Sequence, residues 1–102
     1  MAEWYDATSY ARGERGKIEP SAWRIESGGV RIWVGTGHTF YPDTWVMHCH
    51  VLGMDTIPLG RASSMTKEEA QAEAVRRTLQ KASDTYNIVK ALADSTAQDA
   101  AA

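Results

Sequence analysis

His48-Cys49-His50 is the stretch of this chain whose residue types could hold a metal ion. On an extended strand His48 and His50 project to one face and Cys49 to the other, so the three cannot converge on one ion without a bulge. The two imidazoles alone offer nitrogens roughly 7 Å apart. The expected strand pairing sets Gly37 opposite His48 and Gly35 opposite His50, so no carboxylate completes a site. The expectation is no resident metal and no cofactor. Zinc would need two copies meeting face to face to make a four-histidine site, which would tie metal to a homodimer. Hydrolytic and phosphate chemistry find less support. There is no G-x-S-x-G elbow and no glycine-rich phosphate loop, Ser63-Ser64 stands at a helix entrance, and Gly35-Thr36-Gly37 lies inside a strand with no helix after it. These residues predict a protein that is not an enzyme.

A second group suits binding. Arg24 directly opposite Trp33 can stack its guanidinium on the indole, with Arg31, His48 and His50 on the same face. Tryptophan and arginine are enriched in protein interface hot spots, which makes Arg24, Arg31, Trp33, His48 and His50 the candidate contact surface for a protein partner. An aromatic flanked by cations also stacks single-stranded nucleic acid. That alternative uses the same face together with Arg12, Arg15 and Lys17 of a basic N-terminal arm, and Lys67. A third outcome is that the arm folds over this face, with Trp4, Tyr5 or Tyr10 covering Trp33.

The strands that would position these groups follow from turn chemistry. Gly28-Gly29 suits a two-residue hairpin loop, and closing there pairs Ser27 with Val30, Ile25 with Ile32, Arg24 with Trp33 and Trp23 with Val34. A second turn centred on Pro42-Asp43 would pair Phe40 with Trp45, His38 with Met47, Thr36 with Cys49 and Val34 with Val51. Both turns put Trp23, Ile25, Val30, Ile32, Val34, Phe40, Trp45, Met47, Cys49 and Val51 on a core face. Thr56-Ile57-Pro58-Leu59 reads as a brief fourth strand, which Pro58 confines to an edge.

Thr66 followed by Glu69 is a capping box, with Met65 placed as a hydrophobic staple on Ala70. From there Ala72, Val75, Leu79, Ala82, Tyr86 and Val89 recur at spacings of three and four, which predicts a helical stripe buried on the sheet. Ser83-Asp84 is a candidate break in that helix. The predicted fold is α+β: an antiparallel meander of three to four strands packed on one long C-terminal helix. Residues 1–21 form an irregular arm, 22–93 a single β-β-β-(β)-α domain, and 94–102 a disordered tail.

The composition suits one soluble domain. The chain has 102 residues, 43% hydrophobic and 24% charged, with a formal net charge of -2 that gives no global drive toward nucleic acid or membrane. One cysteine excludes an internal disulfide and suits a reducing compartment. The start MAEWYDATSY lacks signal-peptide layout and no apolar run is long enough to span a membrane, so the expected location is cytoplasmic.

Residues 41–79 resemble the second half of a double-stranded-RNA-binding domain. The resemblance rests on Tyr41-Pro42-Asp43-Thr44-Trp45, Val51-Leu52-Gly53, Gly60 to Met65, and the helix start Thr66-Lys67-Glu68-Glu69-Ala70-Gln71, with Ala74, Thr78 and Leu79 at packing positions. It implies a helix packed on a sheet. Of that family's three phosphate-gripping lysines only Lys67 has a counterpart, because Glu68 and Gln71 hold the other positions, so it does not imply a grip on duplex RNA. HicB-type antitoxins are a looser comparison, through the proline-containing turn and the Glu68-Glu69-Ala70 helix start. The reading from sequence is a small non-enzymatic module acting by protein–protein contact, of the size and architecture of a phage or mobile-element accessory inhibitor.

Overall fold

The structure, a computed structural model, describes residues 2–101. Gly28 and Gly29 both take positive φ (56° and 84°), and the chain closes there into a hairpin of β2 (Ala22–Ser27) and β3 (Val30–Gly35). All four expected pairs form, from Ser27 with Val30 to Trp23 with Val34. With β1 (Tyr5–Asp6), β4 (Thr44–Cys49) and β5 (Met54–Arg61), these strands make one antiparallel sheet in the order β1-β2-β3-β4-β5. The helix α1 (Lys67–Ala101) crosses one side.

Five strands replace the expected three to four. The extra one comes from the N-terminal arm, which is not irregular throughout: Tyr5 pairs with Arg24 and Asp6 with Trp23. The cause is a local polar lock. Asp6 Oδ1 accepts from the Thr8 N–H (2.9 Å) and hydroxyl (2.6 Å), Tyr10 OH donates to Asp6 Oδ2 (2.5 Å), and Thr8 Oγ1 accepts from the Ser21 N–H (2.9 Å). Residue 1 of the arm lies outside the described residues.

β4 pairs four residues away from the expected register, Val34 meeting Met47 rather than Val51. Residues 36–43 form a loop rather than strand ends closing at Pro42-Asp43. Asp43 is held elsewhere: its carbonyl accepts from the Ala62 N–H (2.9 Å) and its carboxylate from the Ser63 hydroxyl (2.7 Å), anchoring the loop to the end of β5. An even slip preserves faces. Ile32, Val34, Trp45, Met47 and Cys49 are therefore buried as expected, with Trp23 and Ile25 packed against them. Phe40 (82% exposed) and Val51 (63%) are not in the core, because the one sits in the loop and the other in a 3₁₀ turn, His50–Leu52. Val30 also stays exposed at the hairpin tip. His38, which the expected pairing with Met47 places at the core edge, sits in the loop, where its Nδ1 accepts from the Phe40 N–H (3.2 Å) and its ring packs on Phe40 and Tyr41. β5 is longer than the expected fourth strand and keeps Pro58 at the sheet edge.

The capping box forms as expected: the Glu69 N–H donates to Thr66 Oγ1 (3.1 Å), and the Thr66 N–H donates to Glu69 Oε1 (3.0 Å). Trp45 Nε1 donates to the Met65 carbonyl (2.8 Å), tying β4 to the helix start. The buried helix residues are Ala70, Gln71, Ala74 and Thr78 rather than the larger stripe. The helix is rotated so that Val75 and Leu79 face away from the sheet, 43% and 70% exposed.

Ser83-Asp84 does not break the helix, since the Asp84 carboxylate accepts from Gln80 Nε2 (3.0 Å) instead of competing for backbone. Residues 94–101 are helical rather than a disordered tail, in a segment rich in alanine, the strongest helix former. Residue 102 lies outside the described residues. Among the described residues no helix is long and apolar enough to cross a membrane.

Candidate functional site

The sheet face opposite the helix holds a cavity of about 710 Å³ at its Gly28-Gly29 end. Arg24, Arg31, Trp33, His48 and His50 all line it, together with Glu26, Ser27, Gly28, Gly29 and Val51. The even slip in β4 kept His48 on this face, so the five candidate residues converge although the β3–β4 register differs from expectation. The N-terminal arm does not fold over them. It extends the sheet at its edge, with Trp4 packed against the core and Tyr5 beside Arg24.

Trp33 stands opposite Arg24 on β2 and opposite His48 on β4. Its ring meets His48 at 4.7 Å between centroids, and His48 stacks on His50 at 5.5 Å with the planes only 9° apart. The expected Arg24–Trp33 stack is not among the cation–π contacts of the described residues, which are Arg15 over Tyr10 and Lys67 over Trp23. The four-residue slip brings His48, rather than Leu52, opposite Trp33.

Two charges on this face are matched and one is not. Arg31 Nε donates to Glu26 Oε2 at 2.8 Å, the cross-strand pair that the hairpin register requires. Arg24 makes no ion pair among the described residues, and its Nε is buried with no hydrogen-bond partner. A buried donor without a partner costs about 1–3 kcal/mol. The groove wall therefore holds a cation with no acidic partner of its own, and its side chain has to turn to bring the buried Nε to an entering acceptor.

Asp55 is the residue that sequence reasoning missed. β5 begins at Met54, paired with Cys49, which sets Asp55 Oδ1 2.9 Å from His48 Nδ1. The fourth strand expected from sequence starts at Thr56 and leaves Asp55 outside it. Alternation counted back from Leu59 puts Asp55 on the core face, whereas the positive φ of Thr56 (49°) and the register shift between Met47 and Cys49 leave it exposed beside His48. The Thr56 N–H also donates to His48 Nδ1 (2.9 Å). One nitrogen cannot both accept from Thr56 and donate to Asp55, so the tautomer decides which contact is a hydrogen bond. Burial holds the His48 imidazole below its ordinary pKa, against the upward pull of Asp55. A neutral ring accepting from Thr56 leaves its lone pair beside the Asp55 carboxylate.

The expectation that no carboxylate accompanies the histidines is thus corrected. His48, His50 and Asp55 present ligand atoms within 4.8 Å of one another. They could hold a divalent cation once His50, which is exposed, turns out of its parallel stack so that both lone pairs point at one ion.

The cations of the nucleic-acid alternative are not gathered here. Arg12, Arg15 and Lys17 are exposed in the loop before β2, and Arg15 is engaged with Tyr10 at 4.5 Å. Lys67 lies over Trp23 and 3.5 Å from Glu68, on the helix side of the sheet. Cys49 is a buried free thiol between core side chains, away from the histidine face. Comparison of the chain with models of protein families, with curated proteins and with solved structures finds no match.

Proposed function

We propose that this chain is a small binding module whose open sheet face receives an acidic segment of a protein partner. The observation that carries this reading is Arg24, whose Nε is buried without a partner in the wall of a groove that also holds Trp33. A carboxylate entering there would meet a charge-assisted donor, and the indole and stacked imidazoles would cover the apolar part of the same segment. Glu26 already engages Arg31, so the groove favours a carboxylate at one position rather than a continuous run of phosphates. A nucleic-acid strand would also need the arm cations and Lys67, and these lie outside the groove lining. A chain of this size that only binds acts by covering part of its partner, which is the action of an accessory inhibitor. In a cytoplasmic setting the single buried cysteine stays reduced and takes no part.

Selection of peptides from a random display library by the full-length protein, followed by NMR titration, tests this. Enriched peptides should carry Asp or Glu beside an aromatic or aliphatic residue, shift the Trp33 indole N–H resonance, and lose at least about tenfold in affinity on Arg24→Gln. Single-stranded DNA, single-stranded RNA and duplex RNA are titrated alongside at low salt. Oligonucleotide binding that outcompetes the peptides and weakens steeply as salt rises would replace the proposal with the nucleic-acid reading. Peptide shifts confined to other surfaces would remove it.

A further inference from the structure

The 35-residue helix α1 runs about 52 Å at 1.5 Å per residue, and the molecule measures 66 Å along its longest axis against 25 and 24 Å across. Among the described side chains, its buried positions end at Thr78. Beyond that point Ala82 and Thr85 are half-covered and the other side chains through residue 97 are exposed. Helices in proteins draw most of their stability from packing of an amphipathic face, and among the described residues this stretch finds little of it.

The missing support is encoded in the spacing. Ala72, Val75, Leu79, Ala82, Tyr86 and Val89 alternate intervals of three and four, and Ala93 and Thr96 continue the same alternation. That is the a/d repeat of a coiled-coil seam, with alanine, leucine, tyrosine and alanine at one position and valine, alanine, valine and threonine at the other. No position of the seam is charged. Val75, Leu79, Tyr86 and Val89 are respectively 43%, 70%, 64% and 56% exposed, so the row is not consumed by the sheet.

We infer that this seam pairs with the same seam of a second copy of the chain. Charge selects a copy over other occupants. Between Leu79 and Ala97 the charged residues are Lys81, Asp84, Lys90 and Asp94, which sum to zero, and Lys90 is paired in-chain to Asp94 at 3.3 Å. A copy is therefore not repelled, and neither an acidic nor a basic partner is favoured. Two lysines on the polar side are too few for an anionic lipid surface to attract.

Size agrees as well. The seam residues from Val75 onward and the adjoining Leu92, 63% exposed, would together remove roughly 1,000 Å² of apolar surface over two copies, about the least that a specific interface buries. An isologous two-fold contact needs one self-complementary patch. The seam is one: paired antiparallel, it sets the small Ala82 against the large Tyr86. An apolar hollow of about 190 Å³ lined by Val75, Ile25, Val30 and Ile32 adjoins the row and extends the contact onto the hairpin. This interface lies on the helix side, so it leaves the groove on the opposite face open.

Sedimentation velocity of the full chain from about 1 to 100 μM tests the inference, with Leu79→Lys/Val89→Lys as the variant. The wild type should sediment as a dimer at the upper concentrations, and the variant should raise the dissociation constant by at least about 100-fold. All four tryptophans lie in the sheet body, so near-ultraviolet circular dichroism reports whether that body still folds. Phe40→Lys, in the loop at the sheet's other end, is the control and should dimerise normally. A wild type that is monomeric at 100 μM, or a folded variant that dimerises as tightly as the wild type, would overturn it.

Discussion

Trp33 and His48 are directly opposed on β3 and β4, their rings 4.7 Å apart and tilted by 41°. The contact holds the indole along the strand over Gly35. A Cβ added to Gly35 would come 2.6 Å from Trp33 Cζ2 and 3.1 Å from the Ala22 Cβ. The wall of the groove thus rests on the absence of a side chain two residues away, and the φ of Gly35 places no demand on it.

Gly35→Ala should therefore destabilise the protein by about 1–3 kcal/mol, the cost of overpacking a filled site. The same substitution in a Trp33→Ala background should cost less, with a coupling of at least about 0.5 kcal/mol in a double-mutant cycle measured by urea unfolding. Additive effects would mean that the indole does not lie on Gly35.

Met47 and Phe40 give a sharper contrast, since alternation places both on the core face. Met47 is 0% exposed in the centre of the core, and Phe40 is 82% exposed in the loop. Met47→Ala should cost about 2–5 kcal/mol. Phe40→Ala should stay within about 0.5 kcal/mol, as surface changes do. Equal shifts in the denaturation midpoint would return Phe40 to the core.

What was legible in the sequence was whatever a local rule decides. The Gly28-Gly29 hairpin and the Thr66–Glu69 box depend on residues a few positions apart, and both formed as read. Face assignment survived a wrong register because side chains alternate with period two and the error was four residues. The failures were long-range. Asp43 looks like a turn residue until its contacts with Ala62 and Ser63 are known. Asp55 joined the histidines only because β5 pairs Met54 with Cys49. Periodicity found the Ala72–Val89 stripe but not what covers it, because a seam for a sheet and a seam for another helix share one spacing.

The N-terminal arm should be pH-sensitive at both extremes, through the Asp6 lock. Hydrogen bonds from Thr8 and Tyr10 lower the Asp6 pKa from an ordinary value of 3.8 to about 2. A depressed carboxylate stabilises the folded form fully above its unfolded pKa and loses that effect as pH falls through the folded one. The loss therefore runs from about pH 4 down to about 2. Tyr10 has the opposite sense: its hydrogen bond to Asp6 raises the phenol pKa above its ordinary 10.0, so its contribution is present at neutral pH and lost as pH rises through the raised value. Glu73, lowered to about 2 by Arg76 and Arg77, also titrates in acid and has to be separated from Asp6. Asp6→Asn makes that separation. Hydrogen exchange of the Ala7 amide, which donates to the Ala22 carbonyl at 2.9 Å, reads the arm alone. At pH 6 the variant should exchange faster than the wild type, and the ratio should fall toward one as pH approaches 2. A ratio that stays constant across that range would show that the arm is held by its strand pairing and not by the Asp6 carboxylate.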